Sequence, residues 1–182
     1  METLGYQWYA VFTMPQNEKS VARHLDLREV ETYLPTYEAE RVWKNRQRVK
    51  VTLPLFPTYL FVRIDHGGRS RVLQTPGVLR IVGNSREPLA LPDSSIEFLR
   101  AYSDVKRVEP CWEPVAGDRV RIRSGVMKGV EGILVRKNNR SRFVLSLDQI
   151  NQRAAIEVSA DEVEPIGERL LADISRTGHI SA

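Results

Sequence analysis

The chain has 182 residues, of which 42% are hydrophobic and 27% charged, with a formal net charge of +4. That length suits one ordinary domain or two small ones, and no apolar run approaches the ~20 residues of a membrane span. Met1 to Tyr9 lacks a basic region followed by a long apolar stretch, so a cytoplasmic protein is expected. The single cysteine, Cys111, cannot form an internal disulfide, and with three scattered histidines it cannot complete a structural zinc cage, so neither metal nor other cofactor is expected.

Trp8 to Phe12 is rich in aromatic and branched residues and ends at Met14-Pro15, which predicts a strand followed by a helix start. From Gln16 to about Glu31, Val21, Ala22, Leu25 and Val30 recur at roughly helical spacing among charged residues, so one side of a helix can pack on a sheet. Thr32 to Glu40 predicts a strand around Pro35, and Val49, Val51 and Leu53 alternate with polar residues as a second arm. Between the arms lie Arg41, Lys44, Arg46, Arg48 and Lys50 with Trp43 among them and no acid. Such a stretch can track phosphates, or serve as a solvated hairpin tip that keeps a sheet soluble.

Leu55 to Ile64 is the most apolar segment and predicts a strand. Thr58, Leu60, Val62 and Ile64 fall on one face and Tyr59 and Phe61 on the other, because side chains alternate along a strand. Both faces being apolar, a sheet with helices on one side needs a second cover. His66-Gly67-Gly68 marks a turn, after which Val72 to Gly83 accommodates another helix and strand. Leu91-Pro92-Asp93-Ser94-Ser95 places capping residues before Ile96, Phe98 and Leu99, predicting a helix to about Asp104. Val105 to Pro114 breaks the pattern. Beyond it, Asp118–Arg123, Gly132–Arg136, Ser141–Leu147 and Ala155–Val158 are four short strands separated by Gly or Asn turns, which suggests a small β-barrel.

Trp8-Tyr9-Ala10-Val11 together with Leu55-Phe56-Pro57-Thr58-Tyr59-Leu60-Phe61-Val62 resembles the N-terminal domain of NusG proteins, and Gly117-Asp118-Arg119-Val120 through Gly125, Gly129 and Gly132 resembles the KOW motif that follows it. Tyr33-Leu34-Pro35, Thr75-Pro76-Gly77-Val78 and Pro88-Leu89-Ala90-Leu91 fit in order, so the resemblance covers roughly residues 6 to 166. The Phe56 segment and Trp43-Lys44-Asn45-Arg46 look closer to the specialised antiterminators RfaH and UpxY than to housekeeping NusG. The resemblance implies an α+β fold: an N-terminal polymerase-binding α/β sandwich at 1–106, a linker at 107–114, a KOW barrel at 115–167 and a polar tail at 168–182. It also implies a monomeric transcription elongation factor or antiterminator that suppresses pausing and catalyses nothing. The residues agree on the last point, since no paired carboxylates, phosphate loop, or nucleophile with its base stands out, and Asp118 and His66 have turn explanations.

Residue by residue, the resemblance assigns Phe12, Phe56, Pro57 and Tyr59 to an aromatic cavity for the clamp helices of the polymerase largest subunit. Rigid aromatics suit such anchors because they bury a large area at low entropic cost. His24 and Arg28 on the first helix match positions that read non-template DNA, with Lys19 and Arg23 near them on the same helix, or the four form an ordinary wet helix face. Arg69, Ser70 and Arg71 match a contact with the gate loop of the second jaw, although Gly67-Gly68-Arg69-Ser70-Arg71 departs from the threonine-rich motif of RfaH. Met127, Val130 and Ile150 match the barrel residues that recruit Rho or the ribosomal protein NusE; two of them replace phenylalanines of housekeeping NusG, and Val130 can equally fill the barrel. RfaH stores this second domain as a helical hairpin, whereas the alternation of Phe143, Leu145 and Leu147 and the turn at Asn138-Asn139 favour a permanent barrel. Two other readings compete: a housekeeping NusG working with Rho and the ribosome, and a KOW-type protein that binds RNA or the ribosome.

Overall fold

The computed structural model describes residues 5–44, 46–84, 87–103, 108–111, 117–125, 127–137 and 140–166. The chain is of the mixed α+β class expected, with a sheet and helices first and an all-β region after them. The Asn138-Asn139 turn and the tail at 168–182 lie outside the described residues.

The first sheet is antiparallel. Its order is β2 (Glu31–Tyr33), β5 (Tyr59–Ile64), β1 (Gln7–Thr13) and β6 (Val78–Ile81), with β7 (Ala90–Leu91) also paired to β1. Register fixes its faces, since directly paired residues point to the same side. Val11↔Leu60 and Tyr9↔Val62 define one face; Trp8↔Arg63, Ala10↔Phe61 and Phe12↔Tyr59 define the other. Helices α1 (Glu18–Asp26) and α2 (Arg69–Leu73) cover the first, burying Val21, Leu25 and Val72 against Val11, Leu60, Val62 and Ile64. Gly77 lets α1 approach this closely. It has φ +90, and a Cβ there would lie 2.8 Å from a Val21 methyl.

The second face has the cover that the two-sided apolar strand calls for. Helix α3 (Asp93–Ser103) buries Ile96 and Leu99 in one core with Trp8, Phe61 and Leu91. Arg100 lies over the rings of Trp8 and Tyr33, at 4.9 and 5.1 Å from their centroids, and reaches Glu31 at 3.2 Å.

In this first part three boundaries differ from the sequence reading. The first helix ends at Asp26 rather than near Glu31, because Glu29 turns into the left-handed region at φ 59 and the Val30 N–H closes back on the Leu25 carbonyl. Val30 is buried as its spacing predicts, but from beyond the helix. The strand expected from Thr32 to Glu40 is broken at Leu34-Pro35 into β2 and β3 (Thr36–Val42), where proline offers no N–H to a ladder. β3 pairs with β4 (Arg48–Pro54) as a separate two-stranded arm. The long strand starts at Tyr59 rather than Leu55, because Thr58 has φ 66 and leaves the alternation.

The second sheet runs β13 (Val163–Pro165), β9 (Asp118–Ile122), β10 (Glu131–Lys137), β11 (Arg140–Leu147), β12 (Gln152–Glu157) and β8 (Val108–Pro110), all antiparallel. Val120, Ile122, Phe143, Leu145, Leu147, Ala154 and Ile156 form its core. Gly132 is required there, since an added Cβ would run into the Phe143 ring and the Val144 carbonyl. Segment 107–114, expected as a bare linker, contributes β8: Glu109 pairs with Ala155, and its carboxylate meets Arg142 at 3.2 Å. The fourth predicted strand begins earlier, at Gln152, and β13 adds an edge that the pattern does not announce.

Candidate functional site

The aromatic residues singled out in the sequence gather at the end of the second sheet face opposite Arg100. Phe12 and Tyr59 are cross-strand partners with ring centroids 5.2 Å apart at 52°, a tilted arrangement worth about 0.5–1.5 kcal/mol beyond area burial. Arg80, paired across the sheet with Phe12, lies 5.4 Å over that ring. Both rings are half-buried and Pro57 is exposed. Phe56 belongs elsewhere: it is 0% exposed and meets Phe61 edge-on at 6.0 Å. The outward placement expected for Phe56 is corrected by the break at Thr58, ahead of the strand, which leaves Phe56 inside the buried core that Phe12 and Tyr59 pack against.

A buried carboxylate holds that break. Glu18, at the start of α1, is 4% exposed, and its Oε1 accepts the Thr58 N–H at 2.7 Å. The Tyr59 N–H donates to the Phe56 carbonyl, and the Thr13 N–H to the Thr58 carbonyl at 2.8 Å. The turn from Leu55 to Thr58 is thereby tied to β1 and α1 at once, so the aromatic edge stands on a rigid base.

The basic residues of α1, with Arg28 in the turn just beyond it, form a second surface. Arg23 and Arg28 are exposed, and His24 is half-buried with its Nδ1 unpartnered. Lys19 is exposed and donates to the Thr52 carbonyl of β4 at 3.1 Å. Arg69, Ser70 and Arg71 are all exposed, on α2 rather than in an open loop. The structure joins two groups that the sequence reading kept apart: Arg28 Nη1 donates to the Arg71 carbonyl at 3.2 Å, and Arg71 Nη1 donates to the Arg28 carbonyl at 3.3 Å. These guanidinium groups anchor on carbonyls and leave further N–H donors toward solvent.

In the barrel, Met127 and Ile150 are 4% and 5% exposed and belong to the core, so the apolar edge expected from them is buried; Val130 alone of the three is half-exposed. On the outer side, Arg119 and Arg121 flank Glu131 at 3.2 and 2.7 Å. The hydrogen bond from Arg121 holds the Glu131 carboxyl below its ordinary range, and the same bond raises Arg121. Among the described residues no group of three His, Cys, Asp or Glu could hold a metal ion, and no helix is long and apolar enough to cross a membrane.

The family model described as "Transcription termination factor nusG" matches residues 6–100. The transcription termination/antitermination protein NusG of Thermus thermophilus is 25% identical over 181 residues, covering 88% of this chain and 98% of its own length. The corresponding Streptomyces griseus protein is 25% identical over 194 residues, covering 90% of this chain and 66% of its own length. A solved structure titled "Domain interaction in Thermotoga maritima NusG" has the same fold at a TM-score of 0.54 with 20% identity, covering 89% of this chain and 98% of that one.

Proposed function

The chain belongs to the NusG family of transcription termination/antitermination factors, and from that premise we propose that it docks on the clamp helices of RNA polymerase through Phe12, Tyr59 and Pro57 and acts by binding alone. The observation that carries this reading is the Phe12–Tyr59 pair: two aromatic rings half-open on a face whose other end is shut by α3 and Arg100. A helical tip seated there would complete their burial. Phe56 stays buried against Phe61 in the core behind them.

On the helical side of the sheet Arg23, His24, Arg28 and Arg71 would meet non-template DNA, the three arginines supplying phosphate contacts and His24 a stacking or hydrogen-bonding partner. Arg71 thereby joins the nucleic-acid surface, while Arg69 and Ser70 remain the residues facing a gate-loop contact. Holding both jaws would disfavour paused states by shifting a population toward the closed clamp. The barrel would recruit Rho or NusE with Val130 as the accessible contact, Met127 and Ile150 shaping the wall behind it. The Leu55 to Val62 segment supports a specialised antiterminator of the RfaH or UpxY kind over a housekeeping factor.

The test is capture of purified RNA polymerase by the full chain and its Tyr59→Ala variant. A central anchor worth about 2 kcal/mol predicts ~30-fold weaker binding. Equal affinities would remove the docking model.

A further inference from the structure

The β3–β4 arm is not used by the docking surface or by the basic face of α1, and it carries five cations between residues 41 and 50 with no acid among them. Residues 36–54 hold five cations, Arg41, Lys44, Arg46, Arg48 and Lys50, against the two carboxylates Glu38 and Glu40, a net of +3 in a chain of net +4. Glu40 meets Arg48 at 3.6 Å and Glu38 meets Lys50 at 3.7 Å, with all four side chains more than half exposed. Such pairs hold weakly and exchange readily for another anion. Among the described residues, Arg41, Lys44 and Arg46 have no carboxylate within ion-pair distance.

The arm's shape presents these charges outward. Among the described residues β3 and β4 pair with each other and with no other strand. They reach the body at their base, through the Leu55 N–H on the Pro35 carbonyl, Lys19 on the Thr52 carbonyl and the packing of Tyr37. Seven-residue strands span about 20 Å. Register places Glu38, Glu40, Val42, Arg48 and Lys50 on one face, while Tyr37, Ala39, Arg41, Val49, Val51 and Leu53 share the other, so Arg41 flanks the tip from the opposite side. Arg48 and Lys50 therefore stand about 7 Å apart in a row leading to the tip, a spacing commensurate with successive phosphates of an extended strand.

At the tip stands Trp43, 58% exposed, beside Val42 at 66%. The Trp43 N–H donates to the Gln47 carbonyl at 2.9 Å and its carbonyl accepts the Arg46 N–H at 2.8 Å. A large ring is thus held in solvent where these two hydrogen bonds close the end of the arm, with Lys44 and Arg46 following it in the chain. Phosphate-binding cations around an exposed indole are the parts a single-strand binder needs: charges that follow the backbone and a flat ring on which a base stacks.

We propose that the β3–β4 arm is a nucleic-acid-binding element of its own, in which Trp43 stacks on an unpaired base while Arg41, Lys44, Arg46, Arg48 and Lys50 contact the flanking phosphates. DNA and RNA share this chemistry. The site is separate from the α1 surface and needs no polymerase.

The experiment measures fluorescence anisotropy of short labelled single-stranded DNA and RNA of one mixed sequence, and of the matching duplexes, with the full chain and its variants Trp43→Ala, Trp43→Phe and Lys44→Ala/Arg46→Ala. All substitutions fall on exposed side chains, so folding should be unchanged, which circular dichroism verifies. Trp43→Ala should weaken single-strand binding ~10-fold and duplex binding much less, with Trp43→Phe near wild type. The double variant should lower the dependence of log K on log salt by about two phosphate contacts. Tighter binding to one of the two single strands identifies the natural source. Wild-type affinity of both alanine variants for every oligonucleotide overturns the proposal; so does unchanged oligonucleotide binding with weakened polymerase capture, which would assign the arm to a protein. Tyr59→Ala should leave oligonucleotide binding intact, so failure of polymerase docking and failure of this site are told apart.

Discussion

Phe98 of α3 and Phe143 of β11 stack across the two halves of the molecule, with ring centroids 5.2 Å apart at 38° and both side chains fully buried. One short helix therefore sits in a core that both sheets share, with Ile96, Phe98 and Leu99 buried among Trp8 and Phe61 of the first sheet and Phe143 and Ile156 of the second. Removing a buried phenylalanine costs about 3–5 kcal/mol. Phe98→Ala should lower stability by that order and split a single unfolding transition into two, as followed by calorimetry. A variant that unfolds in one transition at the wild-type temperature would show that the contact contributes nothing.

Phe56 and Tyr59 should separate stability from binding. Phe56 is fully buried and Tyr59 half-buried. Phe56→Ala should cost about 3–5 kcal/mol in urea denaturation, and any loss of polymerase capture would then reflect a disrupted core. Tyr59→Phe keeps the ring that packs on Phe12, so its stability and its capture of polymerase should both stay close to wild type. A large loss of capture by Tyr59→Phe would mean that the hydroxyl, rather than the aromatic surface, makes the contact.

What could be read from sequence was set by periodicity. The alternation through Leu60 to Ile64 announces a strand with two apolar faces, and its demand for a second cover is met by α3. Alternation says that a face is covered without saying by what, so the Arg100 lid over Trp8 and Tyr33 was not legible. The same holds where backbone geometry overrides pattern. Thr58 and Glu29 enter the left-handed region without being glycine, a state with no reliable residue signature, and it moves Phe56 off the strand and ends α1 early. The barrel strands were visible from their own alternation, but β8 is three residues beside prolines and is recognisable only from its partner β12.

The Arg119–Glu131–Arg121 cluster sets a pH dependence. Folding lowers the Glu131 carboxyl below its ordinary value of 4.5. The folded state then binds this proton less readily than the unfolded chain, so the stabilisation is present above 4.5 and fades as pH falls through the lowered folded value. Glu131→Gln should lower the melting temperature slightly at neutral pH, and the difference from wild type should vanish in strong acid and shrink in high salt, because the cluster is at the surface. A difference that grows as pH falls would contradict the assignment.

Glu18 links the first helix to the aromatic edge. Its buried carboxylate accepts the Thr58 N–H at 2.7 Å, at a residue whose φ of 66 is strained for threonine. A hydrogen bond to a charged group contributes about 1.5–3 kcal/mol, enough to hold one strained residue in place. Glu18→Ala should therefore cost about 2 kcal/mol and free the Pro57–Thr58 turn, weakening polymerase capture although Glu18 itself is shielded from any partner. Glu18→Gln keeps an acceptor oxygen and should recover most of both losses. Thr58→Gly tests the strain directly: glycine adopts positive φ at little cost, so in the Glu18→Ala background it should restore part of the lost capture. If Glu18→Ala lowered stability while polymerase affinity stayed at the wild-type value, the turn would not position the docking edge.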